Sequence, residues 1–156
     1  MAVAPDELKD ALRKFASGVT VVTVSCDGEL HGMTATAFAS VSLDPPLVLV
    51  CLERSTHTHG YVTRAGSFVV NVLTSQQEDV ARAFAVHGAK SFDGLGPRRG
   101  VGGAPLLDGA LAWIECEVSE VVRAGDHDVV FGTVVACDAR SGRPLLYFDR
   151  GYRSLA

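Results

Sequence analysis

The residues of this chain that could do chemistry are few and mostly uncharged. Gly32 to Leu52 holds the densest group. Thr34, Thr36, Ser40 and Ser42 stand among glycine, alanine and valine, followed by Asp44-Pro45-Pro46 and the apolar run Leu47 to Leu52. Small side chains leave the backbone open to a flat ligand, and hydroxyls can bond such a ligand without adding charge. Titratable candidates lie elsewhere: His57 and His59, Lys90 in a glycine-rich segment, and His127 directly after Gly125-Asp126. Each also has a plain structural reading. His57 and His59 lack a third ligand at metal-site spacing and read as exposed residues at a helix start. Lys90 reads equally as a surface lysine, and His127 as a strand-edge histidine bonded to Asp126. Neither GxGxxG nor a P-loop occurs, and no nucleophile elbow surrounds a serine. Gly100-Val101-Gly102-Gly103 has no strand before it and reads as flexible loop.

Composition narrows the function classes. At 156 residues, with 47% apolar and 21% charged side chains, the chain has the size and balance of one globular domain, residues 1–156. A net charge of −4 argues against nucleic-acid binding through a basic surface. No apolar run reaches the roughly 18 residues needed to span a bilayer. Met1 to Asp10 has no apolar core of a secretory signal, so the expectation is a cytoplasmic protein without a membrane role. Cys26, Cys51, Cys116 and Cys137 lie far apart in apolar contexts, without a CxxC pair, and are expected to be buried free thiols.

The elements that must position these residues follow from periodicity and breakers. Leu8, Ala11, Leu12, Phe15 and Ala16 predict an amphipathic helix over 6–16, between Pro5 and Gly18. Val19 to Cys26 reads as a strand, Asp27-Gly28 as a turn, and Leu30 to Leu43 as one extended segment. Asp44-Pro45-Pro46 should end pairing, because proline donates no N–H. Leu47 to Leu52 then reads as a strand buried on both faces, 56–65 as a short helix, and Ser67 to Leu73 as a strand. Ser75-Gln76-Gln77-Glu78 fits a capping box opening a helix to about Val86, with Val80, Ala81 and Phe84 inward. His87 to Pro105, with six glycines and two prolines, reads as a long loop, and such loops are usually functional or disordered. Alternation at Ile114, Cys116 and Val118 predicts a strand with one wet face. His127 to Asp138 and Pro144 to Phe148 complete the set. Strands joined mostly by short turns, without regular strand–helix alternation, point to a mainly β, antiparallel barrel with two or three peripheral helices.

Several segments, in this order, resemble the short-chain flavin reductases, the small partners of two-component flavin-dependent monooxygenases. They are Gly18-Val19-Thr20-Val21-Val22-Thr23, Gly32 to Leu52, Phe68-Val69-Val70-Asn71-Val72-Leu73, Gly109 to Cys116, Gly125-Asp126-His127, Tyr147-Phe148 and Tyr152-Arg153. The resemblance covers about Leu8 to Leu155. It implies a flavin-binding split β-barrel, usually a homodimer. It also implies hydride transfer from NADH or NADPH to FMN or FAD, with the reduced flavin passing to a separate monooxygenase.

The same resemblance implies site residues. Thr34, Ala35, Thr36 and Ala37 would face the isoalloxazine edge, with Ala37 where the family often has Ser or Asn, leaving only backbone there. Ser40, Val41 and Ser42 would lie near the pyrimidine side or ribityl chain. Cys51, Leu52, Ser55 and Thr58 match the segment meeting ribityl and phosphate, and a helix start there would favour phosphate. Ser55 is also a candidate N-cap. Lys90 and Phe92 resemble the family's Lys-Phe pair, with Ser91 inserted between them and Ala89 in place of an Asp. His127 would position the hydride donor, and Tyr152 and Arg153 would close the site. A flavin-holding barrel without turnover is the alternative from another class. A barrel oxidising a phosphorylated vitamin is a third, and would want more basic residues around the phosphate.

Overall fold

The computed structural model describes residues 1–156. Ten strands and three helices form, in order, α1 (Pro5–Leu12), β1 (Ser17–Gly18), β2 (Thr20–Cys26), β3 (Glu29–Ala35), β4 (Phe38–Leu43), β5 (Pro46–Glu53), α2 (His57–Ala65), β6 (Ser67–Val72), α3 (Glu78–Ala85), β7 (Ala112–Ala124), β8 (His127–Ala139), β9 (Leu145–Phe148) and β10 (Gly151–Ser154). A short 3₁₀ turn covers Val101–Gly103.

The topology dictates a rolled sheet. Seven strands pair antiparallel in the order β3-β2-β6-β7-β8-β5-β4. The two edges, β3 and β4, are consecutive in sequence and joined only by Thr36 and Ala37. Ala35 and Phe38 are three residues apart, so they lie within roughly 10 Å of each other. A flat sheet of seven strands cannot satisfy that, so the edges curl toward one another and leave a split between β3 and β4. The expected continuous strand over 30–43 therefore breaks at Thr36-Ala37, where the chain crosses between edges. A second antiparallel sheet, β1-β9-β10, lies beside it.

Burial follows this shape. Val22, Val24, Val50, Leu52, Phe68, Val70, Cys116 and Val130 fill the inside. On the outer face Val19, Val21, Leu73, Ala81, Phe84, Leu107 and Leu145 pack together, so β2 and β6 are covered on both faces and α3 is held against them. The strand after the prolines is not buried on both faces. Val48, Val50 and Leu52 are buried while Leu47, Leu49 and Cys51 are half-buried, the period of two of a one-sided strand. Pro46 pairs with Leu43 as the first residue of β5, a position where a missing N–H is tolerated.

Other expectations change for local reasons. Helix α1 stops at Leu12 and buries no side chain, and Phe15 beyond it is 79% exposed. Ser75 does not cap α3: the helix starts at Glu78, with Gln77 in the cap position, and the Ser75 N–H bonds the Arg143 carbonyl at 2.9 Å. Gln77 precedes the helix instead, accepting from the Thr74 N–H at 2.9 Å and donating to the Asp108 carbonyl at 3.0 Å. All four cysteines are free, but Cys51 is half-buried and Cys137 exposed. The long loop is pinned rather than loose. Buried Asn71 donates to the Val21 carbonyl and Thr23 Oγ1, both at 3.0 Å, and accepts from the Leu107 N–H at 2.9 Å. Glu115 accepts from the Val101 N–H at 2.7 Å, so the Gly100-Val101-Gly102-Gly103 segment is a fastened turn.

Candidate active site

A cavity of about 380 Å³ opens where the unpaired edge of β3 meets the start of α2 and the end of α3. Its wall includes His31, Met33, Thr34 and Thr36 from the β3 edge and Ser55, Thr56, His57 and Thr58 from the α2 start. Phe84 and Ala85 end α3, Val86 to Gly88 and Lys90 follow it, and Tyr147 and Tyr152 come from β9 and β10. Alternate residues of a strand point to opposite faces. Here His31 and Met33 belong to one face of β3 and Thr34 to the other, with Thr36 just past the strand's end. The cavity therefore straddles the strand's edge, where backbone N–H and C=O groups have no neighbouring strand. A flat ligand with ring nitrogens and carbonyls on its rim can bond those groups edge-on.

The start of α2 is built for an anion. Thr56 is the N-cap: its Oγ1 accepts from the His59 N–H at 3.3 Å and donates to the Glu53 carbonyl at 2.8 Å. Ser55, the sequence candidate for that cap, is exposed on the cavity wall instead. The N–H groups of His57 and Thr58, in the first turn, have no carbonyl to meet within the helix. Lys90 faces the same space, and burial lowers its ammonium pKa. No Asp or Glu lines the cavity, although the chain as a whole is acidic.

A buried pair holds this corner together. Thr58 is fully buried, and its hydroxyl lies 2.7 Å from His31 Nδ1. His31 Nε2 is buried without a partner of good geometry. Burial lowers the His31 pKa, against an opposing pull from the Gly88 backbone, and Lys90 and His57 lower it further. Burial thus favours the neutral imidazole over the charged one. Its ring stands edge-on to Tyr61 at 5.2 Å and to His57 at 5.7 Å.

The structure brings together six of the residues that the resemblance implies for the site: Thr34, Thr36, Ser55, Thr58, Lys90 and Tyr152. The Thr34 hydroxyl is already committed, donating to the Ala81 carbonyl at 2.6 Å. Ala35 is buried in the barrel interior, as is Leu52. Ala37 is exposed at the crossing, and its carbonyl accepts from the Cys51 N–H at 3.0 Å. Ser40, Val41 and Ser42 sit on the opposite edge strand, β4, away from the cavity wall. Phe92 packs edge-on against Phe84 at 5.2 Å, behind the wall rather than in it. Arg153 is exposed and does not line the cavity.

His127 also lies outside the wall. Its Nδ1 is 2.7 Å from Asp126 Oδ1, and that bond holds the Asp126 pKa down. Its backbone is tied to α2 through a set of contacts. Arg54 donates to the His127 carbonyl at 2.6 Å and to Asp128 Oδ1 at 3.1 Å, and Asp128 Oδ2 lies 2.7 Å from His59 Nε2 on α2. His59 is thus a partnered, mostly buried residue, unlike the exposed one expected from sequence. The bonds from His59 and Arg54 lower the Asp128 pKa.

Residues 12–156 match the flavin reductase like domain. Among curated proteins, the chain is 42% identical to a probable flavin reductase of Rhizobium meliloti (strain 1021), over 95% of this chain but only 48% of that one, so it spans about half that relative's length. It is 42% identical to an NADH:riboflavin 5'-phosphate oxidoreductase of Streptomyces pristinaespiralis, over 98% of this chain and 89% of that one. Among solved structures, it resembles BorF, the flavin reductase component of a bacterial two-component tryptophan halogenase. The TM-score there is 0.89 at 40% identity, covering 97% of this chain and 98% of that one.

Proposed function

The chain belongs to the flavin reductase like domain family, and from that premise we propose that it is an NAD(P)H:flavin oxidoreductase supplying reduced FMN or FAD to a separate monooxygenase. One observation carries the reading: the open edge of β3 shares a single cavity with the start of α2 and Lys90. Those two parts fit the two ends of a flavin nucleotide. The β3 edge, with Met33, Phe84 and Tyr152, suits a flat, mostly apolar ring with a polar rim. The His57 and Thr58 N–H groups with Lys90 suit its phosphate. At about 380 Å³ the cavity is within the range of small-molecule sites.

The β3 edge and the α2 start would hold the flavin, which when bound would supply the redox chemistry of hydride uptake from a reduced nicotinamide. The chain's own residues bind and orient. Thr34 and Thr36 set the depth of the ring along β3, and Lys90 offsets the phosphate charge. Proximity and alignment supply the rate, with no side chain needed as acid or base. His127 is assigned to positioning the donor by family resemblance. The cavity's apolar side, in turn, has little that would hold the ring covalently or by charge, which suits a flavin that arrives and leaves as a substrate.

The same reading includes a homodimer in the cytoplasm. Leu8, Leu12, Phe15, Val41, Leu43, Val121, Val122 and Val135 are exposed apolar side chains on the single chain, surface that a second copy would cover. A monomer mass by light scattering would contradict that part. No helix is long and apolar enough to cross a membrane.

The activity is tested by mixing purified protein with NADH or NADPH and then adding FMN or FAD, following the nicotinamide absorbance band. Flavin-dependent loss of that band is expected. Flavin binding without any loss would support the non-catalytic carrier instead.

A further inference from the structure

A second groove, of about 370 Å³, adjoins the cavity and shares Ala85, Val86, Tyr147 and Tyr152 with it. Only Arg82 and Arg150 are added to complete its wall. Two phenol rings and two guanidinium groups in one groove are the chemistry that recognises a purine with a phosphate. Aromatic faces and guanidinium planes stack on a base, and guanidinium forks bond phosphate oxygens in pairs. We propose that this groove holds the adenylate half of a dinucleotide whose reacting half occupies the neighbouring cavity. The inference rests on the reductase reading given above.

The geometry supports each part. Tyr147 and Tyr152 meet at 5.3 Å between ring centres, inclined by 70°. The Arg82 guanidinium lies 4.9 Å above the Tyr152 ring, so one side of the groove is already a cation–aromatic stack. Arg150 sits at the β9–β10 turn, where Asp149 and Arg150 both have positive φ, and that turn projects its side chain at the groove's rim. The ion pairs of both arginines are exposed. Arg82 pairs with Glu78 at 2.9 Å, and Arg150 with Asp10 at 3.4 Å. Exposed pairs of this kind contribute little, so exchanging either carboxylate for a phosphate costs little. The continuity with the cavity through four shared residues gives a path along which one molecule can extend from one space into the other.

Both FAD and NADH carry an adenylate, so the test separates the two sources. The variants are Arg150→Gln, Arg82→Gln and the pair together, with thermal unfolding checked for each. Binding of 5'-AMP is measured by calorimetry, and KM is measured for FAD, FMN, NADH and reduced nicotinamide mononucleotide. The expected result is 5'-AMP binding weakened about tenfold or more in the double variant. With it, one ratio shifts by a similar factor. A rise in KM for FAD over FMN assigns the groove to the flavin's adenylate. A rise for NADH over the mononucleotide assigns it to the donor's. Unchanged 5'-AMP affinity, or both ratios constant in well-folded variants, overturns the proposal. Wild-type protein that binds 5'-AMP through these arginines but reduces no flavin would sink the reductase reading while leaving the groove as an adenylate site.

Discussion

Replacing Thr58 with Val tests whether the buried His31–Thr58 pair holds the phosphate end of the site. Valine keeps the shape of threonine and removes only the hydroxyl, so packing in α2 changes little. The hydroxyl is 2.7 Å from His31 Nδ1, and His31 Nε2 already lacks a good partner. The variant therefore strands both ring nitrogens of a residue only 7% exposed. Leaving a buried polar group unsatisfied costs about 1–3 kcal/mol. For a domain of this size that corresponds to a fall in Tm of roughly 2–4 °C per kcal/mol. The assay is thermal and urea unfolding of Thr58→Val, His31→Phe and the double variant. Removing both polar partners avoids the stranded group, so the double variant should regain most of what Thr58→Val loses. KM for FMN should rise in Thr58→Val, since the first turn of α2 is no longer tied to β3. Strictly additive losses, or a Thr58→Val cost below about 0.5 kcal/mol, would refute the reasoning.

Lys90→Ala should raise KM for FMN about tenfold and leave KM for riboflavin unchanged, because only FMN carries the phosphate that a charge-assisted bond would meet; equal effects on the two would remove Lys90 from the phosphate site. His127→Ala should raise KM for the nicotinamide more than for flavin, measured by steady-state kinetics, and a change in the flavin value alone would contradict the donor role. Stability should also fall with acid in a defined order. His31 has a folded-state pKa below its ordinary 6.5, so the unfolded chain takes up the proton first and stability declines as pH drops below about 6.5 toward the lowered folded value. Asp126, Asp128 and Asp149 have pKa values held below 3.8 by their partners, so their contribution is complete above that value and is lost as pH falls through the lowered ones. Urea midpoints measured across this range that stay flat between pH 7 and 5 would contradict the His31 part.

Much of the fold was legible because alternation and turn chemistry mark strands locally. The Val- and Thr-rich run of β2, the Gly125-Asp126 turn and the Ser67 to Leu73 run each declare themselves within a few residues. Closure was different. It depends on β3 and β4 being edges of one sheet, a fact that lies in pairing across the whole chain rather than in any segment. The hydroxyl-rich stretch pointed to Thr34 and Thr36, yet gave no hint that the Thr34 hydroxyl is spent on the Ala81 carbonyl. Ser40 and Ser42 continue the same composition but fall beyond the crossing, on the other edge. His31, Phe84, His87 and Tyr147 were missed as wall residues, because the turn of α3 and the β9 strand reach the cavity only through tertiary packing. His31 did carry a signal, as the residue just before Gly32 on the same strand. His59 looked like a surface residue because its partner, Asp128, is 69 positions away.

The central claim is that flavin is reduced in the cavity at the β3 edge. It is tested most directly by anaerobic mixing of NADH with FMN and the protein, following flavin bleaching in wild type and in Thr36→Trp, whose indole would fill the space beside the strand. The account predicts that wild type bleaches one flavin per NADH consumed, and that Thr36→Trp, while folded, bleaches it at least about tenfold more slowly. Equal bleaching by the two proteins, or none by wild type, would contradict it.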